Sequence, residues 1–155
     1  MKILAIGGTH PRHLYYFERI QQDYPLAGAL LQTRGTMLPE PPEGINAHDR
    51  QLWHRHFGNR LKCERAYFGD PPIPDCPGML VEGKEINQQV DFVRKIDPDI
   101  VLVFGCGMIR SPLCHILPKA TINLHLGLSP RYRGAATLFW PFYFLEPAWA
   151  GATFH

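Results

Sequence analysis

Short apolar runs alternate with amphipathic stretches along most of these 155 residues. Lys2–Ile6 is an apolar run closed by Gly7–Gly8, which predicts a strand entering a tight turn. Arg12–Gln22 returns Leu14, Phe17 and Ile20 at helical spacing, and Leu26–Gln32 reads as a second strand. Thr33–Asn46 holds Gly35, Pro39, Pro41, Pro42 and Gly44 and predicts a long loop. Ala47–Phe68 predicts a helix whose stripe Trp53, Phe57 and Leu61 is read as core, and Gly69–Gly78 a second Pro-rich loop. Ile86, Val90, Val93 and Ile96 align on an amphipathic helix that Asp97–Pro98 ends. Ile100–Val103 is continuously apolar, the mark of a strand buried on both faces in a parallel sheet. Leu113–Leu117 predicts a short helix and Thr121–Leu126 a strand. Gly134–Leu145 predicts a helix perturbed at Pro141, with Trp140, Phe142, Tyr143 and Phe144 packed on the sheet, and Gly151–His155 opens a further strand. This strand–helix alternation predicts an α/β fold, an open and mostly parallel sheet with helices on both faces.

Composition narrows the function. Gly and Pro number 14 and 15, in keeping with long loops. Sixteen basic against 14 acidic residues give a net charge of +2, too mild and too scattered to argue for nucleic-acid binding. No apolar run approaches the roughly 18 residues that cross a membrane, and Met1–Lys2 leads straight into the first run without a signal-peptide pattern. A cytoplasmic, single-domain protein is expected. Cys63, Cys76, Cys106 and Cys114 form no C-x-x-C pair and read as reduced thiols. His48, His54 and His56 do not share a helix face as residues i and i+4 do, so no metal site is expected from them.

In an open α/β sheet ligands bind outside the carboxyl ends of the strands, which singles out three segments. Gly7-Gly8-Thr9-His10 is open to two readings. It is a tight turn, or a turn whose Gly8 and Thr9 offer backbone N–H groups to an anion at the next helix. It is not G-x-G-x-x-G. Gly105-Cys-Gly-Met-Ile109 permits close backbone approach by a flat ligand, with Met108 and Ile109 as apolar walls. Ser111 and Pro112 would then cap and open the following helix. In the third segment Asn123 and His125 are two apart and project to one strand face, an amide and an imidazole suited to polarising a carbonyl and moving a proton. A satisfied polar pair in the core is the other reading. Ser129, Arg131, Tyr132, Arg133 and Gly134 follow within reach.

Asn123-Leu-His125 with Leu128-Ser-Pro-Arg-Tyr-Arg-Gly134-Ala-Ala resembles the N-H-S-L-L-P-x-Y-R-G-A-A region of folate-dependent formyltransferases. Asp97-Pro-Asp-Ile-Val-Leu-Val-Phe-Gly-Cys-Gly-Met-Ile, with Leu117-Pro, resembles that family's folate-site strand and loop. The likeness runs from about Asn87 to His155; before it only Ile3–Thr9 fits.

The resemblance implies a Rossmann-like N-terminal domain over residues 1–155 and formyl transfer from 10-formyltetrahydrofolate, without a metal, to a small-molecule primary amine. A nucleotide-linked amino sugar is the preferred acceptor. Phe104, Gly105, Gly107, Met108 and Ile109 would grip the folate, Asn123 and His125 would act on the formyl group, and His155 would line the site or close the core. The family's third catalytic residue, an Asp, would lie past the strand ending at His155. These 155 residues are therefore expected to bind a folate analogue without turning it over. A hydrolase using water as acceptor and a non-catalytic binding module are the alternatives.

Overall fold

The computed structural model describes residues 1–33, 38, 40–134 and 137–155. The expected loop over 33–46 and the start of the expected helix at Gly134 therefore lie partly outside the described residues. Strands β1 (Ile3–Gly8), β2 (Leu26–Thr33), β3 (Gly78–Glu82), β4 (Ile100–Phe104), β5 (Thr121–Leu126) and β6 (Ala152–Phe154) form one sheet in the order β3-β2-β1-β4-β5-β6. All neighbours are parallel except β5 and β6, which run antiparallel. The α/β class with a mostly parallel sheet is thus observed. Strand order reverses beside β1, and β4 fills the other side of the crevice.

Alternation along each strand sends its residues to two layers. Ile3, Ala5, Leu31, Leu102 and Phe104 bury one face against Leu14 and Phe17 of helix α1 (Pro11–Asp23). Leu4, Ile6, Leu30, Val101 and Val103 bury the other against Val81, Ile86, Val93 and Leu113. This two-sided burial explains the unbroken apolar runs of β1 and β4.

Several elements differ from expectation. β3 was not anticipated; Met79-Leu80-Val81 is a short edge run that periodicity alone does not distinguish. The amphipathic segment before β4 is a 3-10 turn (Gly83–Gln88) followed by α3 (Val90–Ile96). The long helix α2 (Ala47–Phe68) spans the expected residues but buries none of them, so Trp53, Phe57 and Leu61 are half-exposed rather than core. The turn at Leu113–His115 is 3-10 and begins after Pro112, not on a Ser111 cap. Pro141 opens a short helix, α4 (Trp140–Tyr143), instead of kinking a longer one, as a proline in the first turn does. Trp140, Phe142, Tyr143 and Phe144 are exposed; Trp140, Tyr143 and Phe144 meet one another, with the Trp140 and Phe144 rings 5.9 Å apart, and Phe142 makes no ring contact among the described residues. Among the described residues no helix is long and apolar enough to cross a membrane.

Candidate functional site

Asn123 and His125 stand on β5, one strand in from the edge strand β6. Val103 pairs with Asn123 in register, and Leu124 and Leu126 pack into the α1-side core, so Asn123 and His125 project to the opposite face. β6 adds two more residues there: Thr153 lies opposite His125, and the His155 backbone exchanges two 3.0 Å hydrogen bonds with Asn123. The His125 and His155 rings meet edge to face at 5.5 Å, and His155 is exposed, which sets aside its reading as a core residue. Nε2 of His125 lies 3.2 Å from the Gly134 carbonyl. A carbonyl only accepts, so this nitrogen carries a proton and Nδ1 is the ring's other site. Nδ1 is buried without a hydrogen-bond partner among the described residues.

The loop between β5 and Gly134 is pinned at many points. The Ser129 N–H donates to Thr153 Oγ1 at 3.0 Å, and that hydroxyl donates to the Gly127 carbonyl at 2.9 Å. Thr137 donates to the Leu126 carbonyl. Gly127 has φ +105°, and a Cβ there would overlap Thr137. Glu146 accepts from Arg131 through Nε at 2.9 Å and Nη2, and from the Tyr132 hydroxyl. The Arg131 guanidinium also stands 5.3 Å above the Trp149 ring. These contacts hold Glu146 below the ordinary carboxylate range, Arg131 first and Tyr132 second, and push the Tyr132 phenol up. Both candidate substrate residues Arg131 and Tyr132 thus have their polar ends on Glu146. Arg133 is exposed with no ion pair among the described residues.

At the neighbouring strand ends Gly8 and Gly105 face each other across the buried His13 ring. A Cβ on either would overlap it, and Gly105 needs φ +76°. The imidazole adjoins Gly8 on the side where a Cβ would stand, and Thr9 is half-buried beside it. Phe104 is buried with its ring 4.7 Å from that of His13. Beyond Gly105 the chain runs along a cavity of about 380 Å³ bordered by Gln32, Lys84, Asn87, Gly107, Met108 and Arg110. Met108 is 71% exposed there, and Ile109 is half-buried. Among the described residues no group of three or more His, Cys, Asp or Glu gathers to hold a metal ion.

Sequence reasoning missed Gln32, Asn87, Glu146 and Thr153, which fasten these loops. Each is a lone polar residue whose partner is distant in the chain, and no local pattern marks it.

No family model matches the chain. Over 139 residues, 89% of its length, it is 38% identical to the methionyl-tRNA formyltransferase of Borreliella burgdorferi strain ZS7, of which it covers 38%. A methionyl-tRNA formyltransferase of Clostridium tetani is 38% identical over 58 residues, 37% of this chain and 19% of that protein. The chain therefore spans well under half the length of these relatives. Among solved structures, the phosphoribosylglycinamide formyltransferase of Anaplasma phagocytophilum superposes with a TM-score of 0.61 at 14% identity, over all of this chain and 63% of the other. Glycinamide ribonucleotide transformylase 1 of Geobacillus kaustophilus superposes at 0.54 and 15% identity, over all of this chain and 73% of the other. At these identities the structural likeness is one of fold.

Proposed function

Because the chain belongs to the folate-dependent formyltransferase family, we propose that it is the N-terminal domain of an enzyme transferring a formyl group from 10-formyltetrahydrofolate to a primary amine. The observation that carries this reading is the Asn123–His125 pair, set side by side on β5 with an imidazole nitrogen that has no partner among the described residues. The neutral amine attacks the formyl carbon, and the new C–N bond forms as the carbonyl π pair moves to oxygen. Asn123 donates to that oxyanion, a bond stronger in the transition state than before it. The ammonium loses its proton as the bond to the folate nitrogen breaks, and that nitrogen takes up a proton as it leaves. His125 serves as the relay or, protonated, adds charge beside the oxyanion.

The segment Phe104–Ile109 suits a flat heterocycle. Met108 gives an apolar wall, and the Ile109 N–H and C=O have no partner among the described residues. The donor supplies the activated formyl group and no metal enters. For the acceptor we propose a nucleotide-linked amino sugar. Arg133, an exposed cation next to Gly134 with no ion pair among the described residues, supports a phosphate-bearing acceptor over a neutral one.

The test is single-turnover formyl transfer by the whole encoded protein. Asn123→Ala should lower the rate by roughly 10²–10³ while folate affinity stays near normal. His125→Ala should cost on the order of 10²–10⁴, and the double variant little more than the worse single one. A stable Asn123→Ala enzyme with a near-normal rate would remove this mechanism. For the acceptor, a nucleotide-linked amino sugar should be formylated faster than the same sugar without its phosphates, and equal rates would rule that choice out.

A further inference from the structure

Two buried carboxamides outside the reacting pair hold the loop after β4. Gln32, near the end of β2, accepts the Gly107 N–H on Oε1 at 2.6 Å and donates through Nε2 to the Gly83 carbonyl. Asn87, in the turn after β3, accepts the Arg110 N–H on Oδ1 at 2.6 Å and donates through Nδ2 to the Met108 carbonyl at 3.3 Å. An extended strand turns the C=O of one residue and the N–H of the second one after it to the same side. Asn87 takes such a pair, as a neighbouring strand would. Three backbone groups of the loop are thereby committed inside the protein, while the Met108 N–H and both peptide groups of Ile109 have no partner among the described residues.

We propose that Gln32 and Asn87 are positioning residues for the folate donor: together they select which backbone groups of the 105–110 loop face the ligand. This rests on the donor assignment above. Neither amide need touch the reacting atoms. Their effect is preorganisation: with the loop held before binding, its ordering is not charged against affinity. Gln32 also ties the loop to Gly83, so the ends of β2, β3 and β4 are linked through one side chain. Removing either amide leaves two backbone groups without their partner, and such groups relieve themselves by moving to water.

Gln32→Met and Asn87→Leu keep the approximate shape and remove both hydrogen-bonding functions. In the whole encoded protein each should raise the calorimetric Kd for 5-formyltetrahydrofolate by about tenfold. At saturating donor, kcat should stay within about threefold, since no transition-state contact is lost. Hydrogen exchange should quicken selectively, at Gly107 in Gln32→Met and at Arg110 in Asn87→Leu. Gln32→Glu retains the acceptor for Gly107 and should recover part of the lost affinity.

A purely structural role predicts lower melting temperatures with unchanged Kd in the folded variants, and that result overturns the proposal. If the unaltered protein fails to bind the probe while Gly107 and Arg110 remain protected, the donor assignment itself has failed. Should Gln32→Met not fold, Gly107→Ala replaces it. Its Cβ would meet Gln32 Nε2 at 3.3 Å and press on the same amide without deleting a bond. A Kd unmoved by both Asn87→Leu and Gly107→Ala is equally fatal.

Discussion

Glu146 fastens the loop after β5 through its charge, and the sign of each shift fixes when the clasp holds. Its carboxyl is lowered in the fold, by the Arg131 hydrogen bond first. Its contribution is therefore complete above the ordinary carboxylate value, about 4.3, and is lost as pH falls through the lower folded value. Tyr132 is raised, by the Glu146 hydrogen bond first, so its contribution is complete below the ordinary phenol value of about 10 and is lost as pH rises through the higher folded one. Glu146→Gln should accordingly melt below the unaltered protein by a constant margin between about pH 6 and pH 8, narrowing towards zero as the solution is acidified below about pH 4. Thermal melts across that range check it, and a margin unchanged down to strong acid would mean the charge is irrelevant. The motif residues Arg131 and Tyr132 were legible in the sequence, but their partner was not: nothing local to Glu146 says that it reaches back to them.

Helix α2 shows which properties of an element are written locally. Its ends are chemical: the Asn46 side chain accepts the Asp49 N–H at 2.9 Å, and Gly69 closes it at φ +72°, so both boundaries could be read from residue types. Its burial is not local. The stripe Trp53–Phe57–Leu61 announces a face without saying what covers it, and α1 covers only part, through the Arg12–Glu64 ion pair and the Tyr15–Phe68 rings. β3 escaped for a similar reason, since an edge strand needs only one neighbour and leaves a weak pattern. The contrast is measurable. Phe17→Ala, at a fully buried ring between α1 and the sheet, should cost about 3–5 kcal/mol. Trp53→Ala, at a half-exposed ring packed 4.6 Å from that of Phe57, should cost less, about 1–2 kcal/mol. Equal losses in urea titrations would show that α2 is covered in solution.

At the scale of the molecule the sheet is two-sided at its centre and one-sided at its functional flank. The sequence carried the alternation that builds the centre and the Asn-x-His motif that marks the flank. It did not carry the strand order, because pairing between segments distant in the chain depends on which surfaces meet. β1 lies between two parallel neighbours, with Leu4, Ala5 and Ile6 wholly buried. β5 has the three-residue β6 on its outer side, and Asn123 to Leu126 are only half-buried. Local opening follows buried apolar contact and strand pairing, so stability should fall from β1 and β4 towards β5 and β6. Native-state hydrogen exchange of the 155-residue chain should therefore find the Ala5, Ile6, Leu102 and Val103 amides slowest, released only by global unfolding. The Leu124 and Leu126 amides should exchange at least about 100-fold faster, through a smaller opening that frees β6 and the pinned loop together. Denaturant should accelerate the first group strongly and the second weakly, because the smaller opening exposes less surface. Equal protection and equal denaturant dependence in both groups would mean that the flank opens only with the whole sheet, and Asn123 and His125 would then sit on a rigid edge rather than a yielding one.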